Sequence, residues 1–231
     1  YAIQKLMAER FGDVEPIEVE NLPKQAYGTV TLTQQAGLLE HAALLSQPVK
    51  AAAPMAMEDL GKNSGYLLYT STVRGPLEEE SEIFVDGLCD RGHIFVNGKL
   101  MGIKDRSCGR DDKVTLLLKE GESAEISILV ENMGHVNYGR HIWEKKGILQ
   151  GVRLNYRHHF GWTMTPVEED SFDALPFEQA VLPKPEEFTP TVYRGSFSVD
   201  KPADTFLKLD GLQKGIVLIN GFHLGRDWNT S

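Results

Sequence analysis

"IFVNGKLMG" at 94–102 and "VLINGFHLG" at 217–225 read as one phrase: three apolar residues, Asn-Gly, two variable positions, an apolar residue and Gly. An apolar run closed by Asn-Gly is a strong hairpin signal, because both residues tolerate the positive φ of a type I′ turn. Asn97-Gly98 and Asn220-Gly221 are each expected to fold a core strand back on itself. Gly102 and Gly225 suit a bulge or a close backbone approach. The same phrase at the same point of two β-rich stretches predicts two copies of one sandwich.

The sequence around the phrase agrees. From Gly65 onward, "YLLYTSTV", "SEIFVDGL", "KVTLLL", "AEISILVEN", "GVRLNY", "GWTMTPV", "TVYRGSFSV" and "DTFLKLDG" are short β-rich runs punctuated by Gly, Asp, Asn and charged turns. No 3.6-residue period persists there, so the body of the chain is expected to be all-β, a sandwich or jelly roll. Ahead of it, Ile3, Leu6, Met7 and Phe11 take helical spacing over 1–12, an amphipathic helix whose apolar stripe needs a partner. "DVEPIEVENLPK" reads as a linker, "YGTVTL" at 27–32 as a short strand, 34–46 as a helical turn or two and 47–61 as loop. The expected organisation is 1–22 helix and linker, 23–64 connecting segment, 65–167 first sandwich, 168–188 acidic, Pro-bearing join, and 189–231 second, incomplete sandwich.

Bulk properties narrow the function. The chain has 231 residues, 41% of them hydrophobic, enough to bury a core. Its net charge of −9 argues against a nucleic-acid partner, whose phosphates demand a basic face. No apolar run reaches membrane-spanning length, so no membrane partner is expected. Cys89 and Cys108 are too few for a zinc site or a disulfide framework and read as free thiols. His158 and His159 are adjacent and face opposite ways on a strand, so no metal ligand set and no cofactor is expected. No P-loop, GxGxxG or Gly-x-Ser-x-Gly fingerprint supports nucleotide or acyl-transfer chemistry.

A glycosidase needs two carboxylates held across the scissile bond. Most acids here lie in solvated runs, such as Glu78 to Glu80. Glu131 directly follows the apolar strand "ISILV" and reads as a structural hydrogen-bond acceptor. Trp162, inside a β run, reads as core. Asn132, Asn137, Tyr138 and Trp143 fall in "ENMGHVNYGRHIW", a Gly- and Asn-rich loop after a buried strand, and with Trp228 they are residue types that stack on and hydrogen-bond sugars. These five are the candidate substrate-binding residues.

"ILVENMGHVNYG" (128–139), "KGILQGVRL" (146–154), "YRGSFSV" (193–199) and "KGIVLINGFHLGRDW" (214–228) together resemble the C-terminal half of family 35 glycoside hydrolases, the β-galactosidases. "KQAYGTVTL" (24–32) and "GYLLYTSTV" (65–73) resemble segments that follow that family's barrel. Two positions depart from the pattern: His135 stands where Arg is usual, exchanging a permanent planar charge for an imidazole, and Asp227 stands where an aromatic is usual.

The resemblance implies two galactose-binding-like jelly rolls after a catalytic (β/α)₈ barrel, with the helix at 1–12 as the barrel's last. Both catalytic glutamates would lie in the barrel, for which this chain has no room, so no catalytic residue is assigned here and the chain alone is expected to be inactive. The implied parent reaction is retaining hydrolysis of terminal β-D-galactosides. Tyr138 would line the galactose pocket while Asn132 and Asn137 hold its loop. The implied partners are a β-galactoside or galactose-containing glycan and the chain's own barrel. An autonomous carbohydrate-binding module, or domains serving only packing or homo-oligomer formation, stay open as alternatives. A bacterial source is expected, with cytoplasmic and periplasmic or secreted placement both open.

Overall fold

A computed structural model describes residues 2–12, 22–181 and 189–229. In chain order the elements are α1 (Ala2–Phe11), β1 (Leu32–Gly37), α2 (Leu38–His41), β2 (Val49–Ala51), β3 (Gly65–Arg74), β4 (Ser81–Cys89), β5 (Arg91–Val96), β6 (Lys99–Asp105), β7 (Arg110–Asp111), β8 (Thr115–Leu116), β9 (Ser123–Asn132), β10 (Gly147–Leu154), β11 (Arg157–His159), β12 (Trp162–Val167), β13 (Glu178–Gln179), β14 (Thr191–Gly195), β15 (Lys214–Ile219) and β16 (Phe222–Trp228). The protein is mainly β. The chain divides into two compact units, one of residues 32–195 and one of 1–31 with 196–231.

In the larger unit a seven-stranded antiparallel sheet, in the order β2-β12-β3-β9-β5-β6-β7, faces a four-stranded sheet, β11-β10-β4-β8. The core between them takes Leu67, Tyr69 and Val73 from β3, Ile126, Ile128 and Val130 from β9, and Ile83, Ile148 and Val152 from the opposite sheet. Alternation along the strand sends the intervening residues to the other face. There Leu68, Phe95, Leu129 and Val167 meet Ala36, Leu38, Ala42, Leu45 and Leu175 in a second cluster. The large sheet is thus buried on both faces, which accounts for the unbroken apolar runs "YLLY" and "ISILV". Trp162 is in the core, and its indole N–H donates to the His159 carbonyl at 3.0 Å.

Both Asn-Gly phrases form the same hairpin. Asn97 and Gly98 have φ of 48° and 77°, and Asn220 and Gly221 have 50° and 80°, as a type I′ turn requires. Ile94 pairs with Gly102 and Phe95 with Leu100; Val217 pairs with Gly225 and Leu218 with His223. Met101 and Leu224 are therefore the extra residue of one bulge, repeated. At Gly102 a Cβ would come within 2.6 Å of Val114 Cγ2, so that position also serves a close approach. The two copies differ in their cover. β5 pairs with β9 on its other edge and buries Ile94 and Phe95, whereas β15 and β16 form a two-stranded sheet among the described residues.

Several local expectations are corrected. Residues 27–31 are not a strand: Gly28 takes a φ of 82°, and the Tyr27 hydroxyl ties to the chain by donating to Lys201 O and accepting from Ala203 N. The strand begins instead at Leu32 and runs through the polar "TQQAG", paired with β13 and β14, while helix is confined to 38–44. The stretch 47–61 contains β2 and a 3₁₀ turn at Glu58–Leu60. "SFSV" and "DTFLKLDG" form no strands, and Asp204 makes only a single bridge to Lys24. Residues 168–181 carry a 3₁₀ segment, Glu169–Ala174, and pack Phe172, Leu175 and Phe177 into the second cluster. Most of the linker read at 13–24, and residues 182–188 of the join, lie outside the described residues. The expected helix is present as α1, and Ile3, Leu6, Met7 and Phe11 are exposed on it.

Candidate functional site

β9 ends at Glu131 and Asn132, both buried, and β10 begins at Gly147. The loop between them is tied down at both ends by one carboxylate. Asp90, buried at the β4–β5 junction, accepts from the Met133 backbone N–H at 2.8 Å and from the Lys146 ammonium at 2.8 and 2.9 Å. Arg106 adds a second cation, 3.0 Å from Asp90 Oδ1, and carries its other arm to Glu144 Oε1 at 2.6 Å. The backbone N–H of Lys146 donates to both oxygens of Glu58 at 3.0 Å.

The entry strand end is fixed as tightly. Asn132 Nδ2 donates to Asn63 O at 2.9 Å while its Oδ1 accepts from Gly134 N–H at 2.8 Å, turning the chain. His135 Nε2 lies 3.3 Å from Asn63 O and 3.6 Å from Glu58 Oε1. The imidazole thus joins the same polar cluster as Glu58 at the position where the resembled family has Arg.

Local electrostatics follow from this packing. The hydrogen-bonded Arg106 holds the Glu144 carboxyl below its ordinary range and is itself pushed up by that partner. Burial pushes the Cys89 thiol up, opposed by the Arg106 guanidinium, whose Nη1 lies 2.9 Å from the sulfur. A buried, desolvated thiol of raised pKa is a poor nucleophile.

Between the anchors the loop opens to solvent. Tyr138 is 89% exposed and Trp143 88%, with Asn137 and Ile142 also exposed. Four of the five sequence candidates, Asn132, Asn137, Tyr138 and Trp143, therefore share one loop, in distinct situations. Asn132 is a buried brace, Asn137 takes no part in the anchoring bonds, and the two aromatics are displayed. The fifth, Trp228, lies in the smaller unit at the end of β16, with Lys214 Nζ 3.8 Å from its ring centroid, so one face of that indole already carries a cation. Among the described residues no group of three or more His, Cys, Asp or Glu side chains is placed to hold a metal ion, and no helix is long and apolar enough to cross a membrane.

Sequence reasoning missed the anchor itself. Asp90, Arg106, Lys146 and Glu58 are far apart in the chain and look like ordinary turn charges. One signal was legible: "LCDRGHIFV" runs two strands together with a lone carboxylate at the join.

Two family models match the chain, the first over the sandwich that carries this loop. Residues 54–168 match the first all-β domain of β-galactosidase, and residues 190–231 match the galactose-binding domain of β-galactosidase. The chain belongs to the β-galactosidase family. A mouse β-galactosidase is 33% identical over 90% of the chain, and the human β-galactosidase 31% over 98%. The human β-galactosidase-1-like protein 2 is 33% identical over 95%. The chain spans 35% of the length of each of these relatives. All three are mammalian, and a Dictyostelium β-galactosidase matches at 30% identity, so these relatives give no support to the expected bacterial source.

Proposed function

We propose that this chain is the accessory β-region of a retaining β-galactosidase, supporting a catalytic barrel and bringing Tyr138 to the rim of its galactose pocket. The observation that carries this reading is the contrast along one loop. Both ends bind a buried Asp90 while Tyr138, between them, is 89% exposed. A large aromatic held out by a rigid base, rather than by a flexible tether, is suited to positioning against a separate surface. The partner in this reading is the barrel of the longer protein, and the substrate a terminal β-D-galactoside. The experiment is a side-by-side assay of this chain, the longer protein and its Tyr138→Ala variant on a chromogenic β-galactoside. The expected result is no turnover by this chain, turnover by the longer protein, and a raised KM or lowered kcat/KM in the variant. Turnover by this chain, or an unaltered variant, overturns the reading.

A further inference from the structure

The three tryptophans of the chain have different surroundings. Trp162 is 1% exposed in the core, and Trp228 carries Lys214 over its ring. Trp143 stands 88% exposed, yet it is not an isolated surface residue, because it forms one wall of a shallow open depression. Pro54, Met55 and Leu149 line the apolar part, and Asp59 and Lys145 form a polar edge. The chain on which Trp143 sits is fixed one residue later, where Glu144 binds Arg106, and Lys146 binds Asp90. An indole with a free face on an anchored segment, beside apolar side chains and one polar edge, is the composition of a small-ligand site, not of a solvated loop tip.

We propose that this depression is a surface subsite for a neutral, galactose-bearing saccharide. The chemistry matches on each side. A β-galactose ring is amphipathic on one face only: its axial 4-hydroxyl leaves the opposite C3–C4–C5 face apolar, to lie on the Trp143 indole. Its hydroxyls then reach the polar edge. Asp59 and Lys145 already pair with each other, which makes that edge neutral overall. The carboxylate still has lone pairs to accept with and the ammonium two further protons to donate. A charged ligand would have to break that pair, and an anionic one would also meet the chain's net charge of −9. The subsite is independent of the Tyr138 reading, since it requires neither a barrel nor turnover.

The test is titration of this chain with lactose, followed by the three indole N–H signals in a heteronuclear NMR spectrum, with cellobiose as the control. The Trp143 signal is assigned by its loss in Trp143→Ala. The expected result is a saturable shift of that signal alone, little response to cellobiose, affinity for lactose reduced on the order of tenfold in Trp143→Ala, and partial recovery in Trp143→Tyr. No saturable shift, equal response to cellobiose, or unchanged affinity in Trp143→Ala overturns the proposal. The two readings fail separately. Tyr138→Ala is expected to impair hydrolysis by the longer protein and to leave the saturable Trp143 shift of this chain on lactose unaltered.

Discussion

Lys146 Nζ lies 2.8 and 2.9 Å from the two carboxylate oxygens of Asp90, with the two side chains only 1% and 6% exposed. Lys146 leads into β10 and Asp90 joins β4 to β5, so the pair fastens two neighbouring strands where they emerge from the core. Burying two charges is costly and replacing both with apolar groups is often neutral, so such a pair is better read as a device for geometry than as net stability. Here the geometry is that of the loop bearing Tyr138 and Trp143, whose first residue, Met133, binds the same carboxylate.

Removing one member leaves the other buried and under-compensated. Lys146→Met is expected to destabilise the larger unit by about 3 kcal/mol, since Arg106 still neutralises part of the Asp90 charge. Asp90→Asn combined with Lys146→Met is expected to cost clearly less than the two single changes added together. Urea midpoints for the three variants check this, and simple additivity would show that the two residues do not act as a pair.

Tyr69 and Gly147 form a second interlock. The buried Tyr69 hydroxyl donates to Met55 O at 2.8 Å and accepts from Ile148 N–H at 3.2 Å, and burial pushes its pKa up. Gly147 has a φ of 107°, and a Cβ there would come within 2.3 Å of that hydroxyl oxygen. Tyr69→Phe is expected to cost about 1–3 kcal/mol, by leaving a carbonyl and an amide unsatisfied. Gly147→Ala is expected to cost more, from the clash and the backbone strain together. In the double variant part of the clash is gone, so the cycle should show a favourable coupling. Thermal melts of the four proteins measure it.

What the sequence showed and what it hid divide along physical lines. The hairpins at Asn97 and Asn220 were legible because a type I′ turn restricts residue type locally. The buried strands β3 and β9 were legible from β-branched and aromatic content. β1 was not, because "LTQQAG" has no apolar alternation and owes its strand state to pairing with Tyr193, Val192 and Thr191 far along the chain. The short strands read in 196–210 failed for the opposite reason: the residues have β propensity, but among the described residues no neighbouring strand pairs with them. The exposed loop of the candidate site was visible in its Asn, Gly and aromatic content. Its anchor was not, apart from the lone Asp90 where two strands run together, because the ion cluster is assembled from positions 58, 90, 106 and 146, which are far apart in the chain.

The repeated hairpin allows an internal comparison. Asn97 Oδ1 accepts from the Glu125 N–H at 2.9 Å, while the Asn220 side chain makes no such bond among the described residues. Glycine preserves the left-handed turn at either position and deletes only the side chain. Asn97→Gly is therefore expected to cost about 1 kcal/mol, and Asn220→Gly to fall within about 0.5 kcal/mol of the parent. Thermal or urea unfolding of the two variants checks the difference. Equal losses would mean that the turn conformation, and not the cross-strand bond, sets the Asn preference in the first copy.

Acid sensitivity should arrive in two stages. His159 is partly buried against Ser71, with Nε2 2.8 Å from the hydroxyl, and burial lowers its pKa below the ordinary 6.5. A depressed folded-state pKa means that the unfolded chain takes up the proton more readily. The stability from neutral His159 is thus complete above pH 6.5 and declines as pH falls from there through the folded-state value. Asp86, held low by its hydrogen bonds from Arg153, and Glu144, held low by Arg106, act further down. Their contributions are present above the ordinary carboxylate range and lost as pH falls below it. Urea midpoints at pH 7.5, 5.5 and 3.5 should fall at each step. His159→Gln, which cannot titrate, should flatten the first step and leave the second. A first step of unchanged size in that variant would assign it to another group.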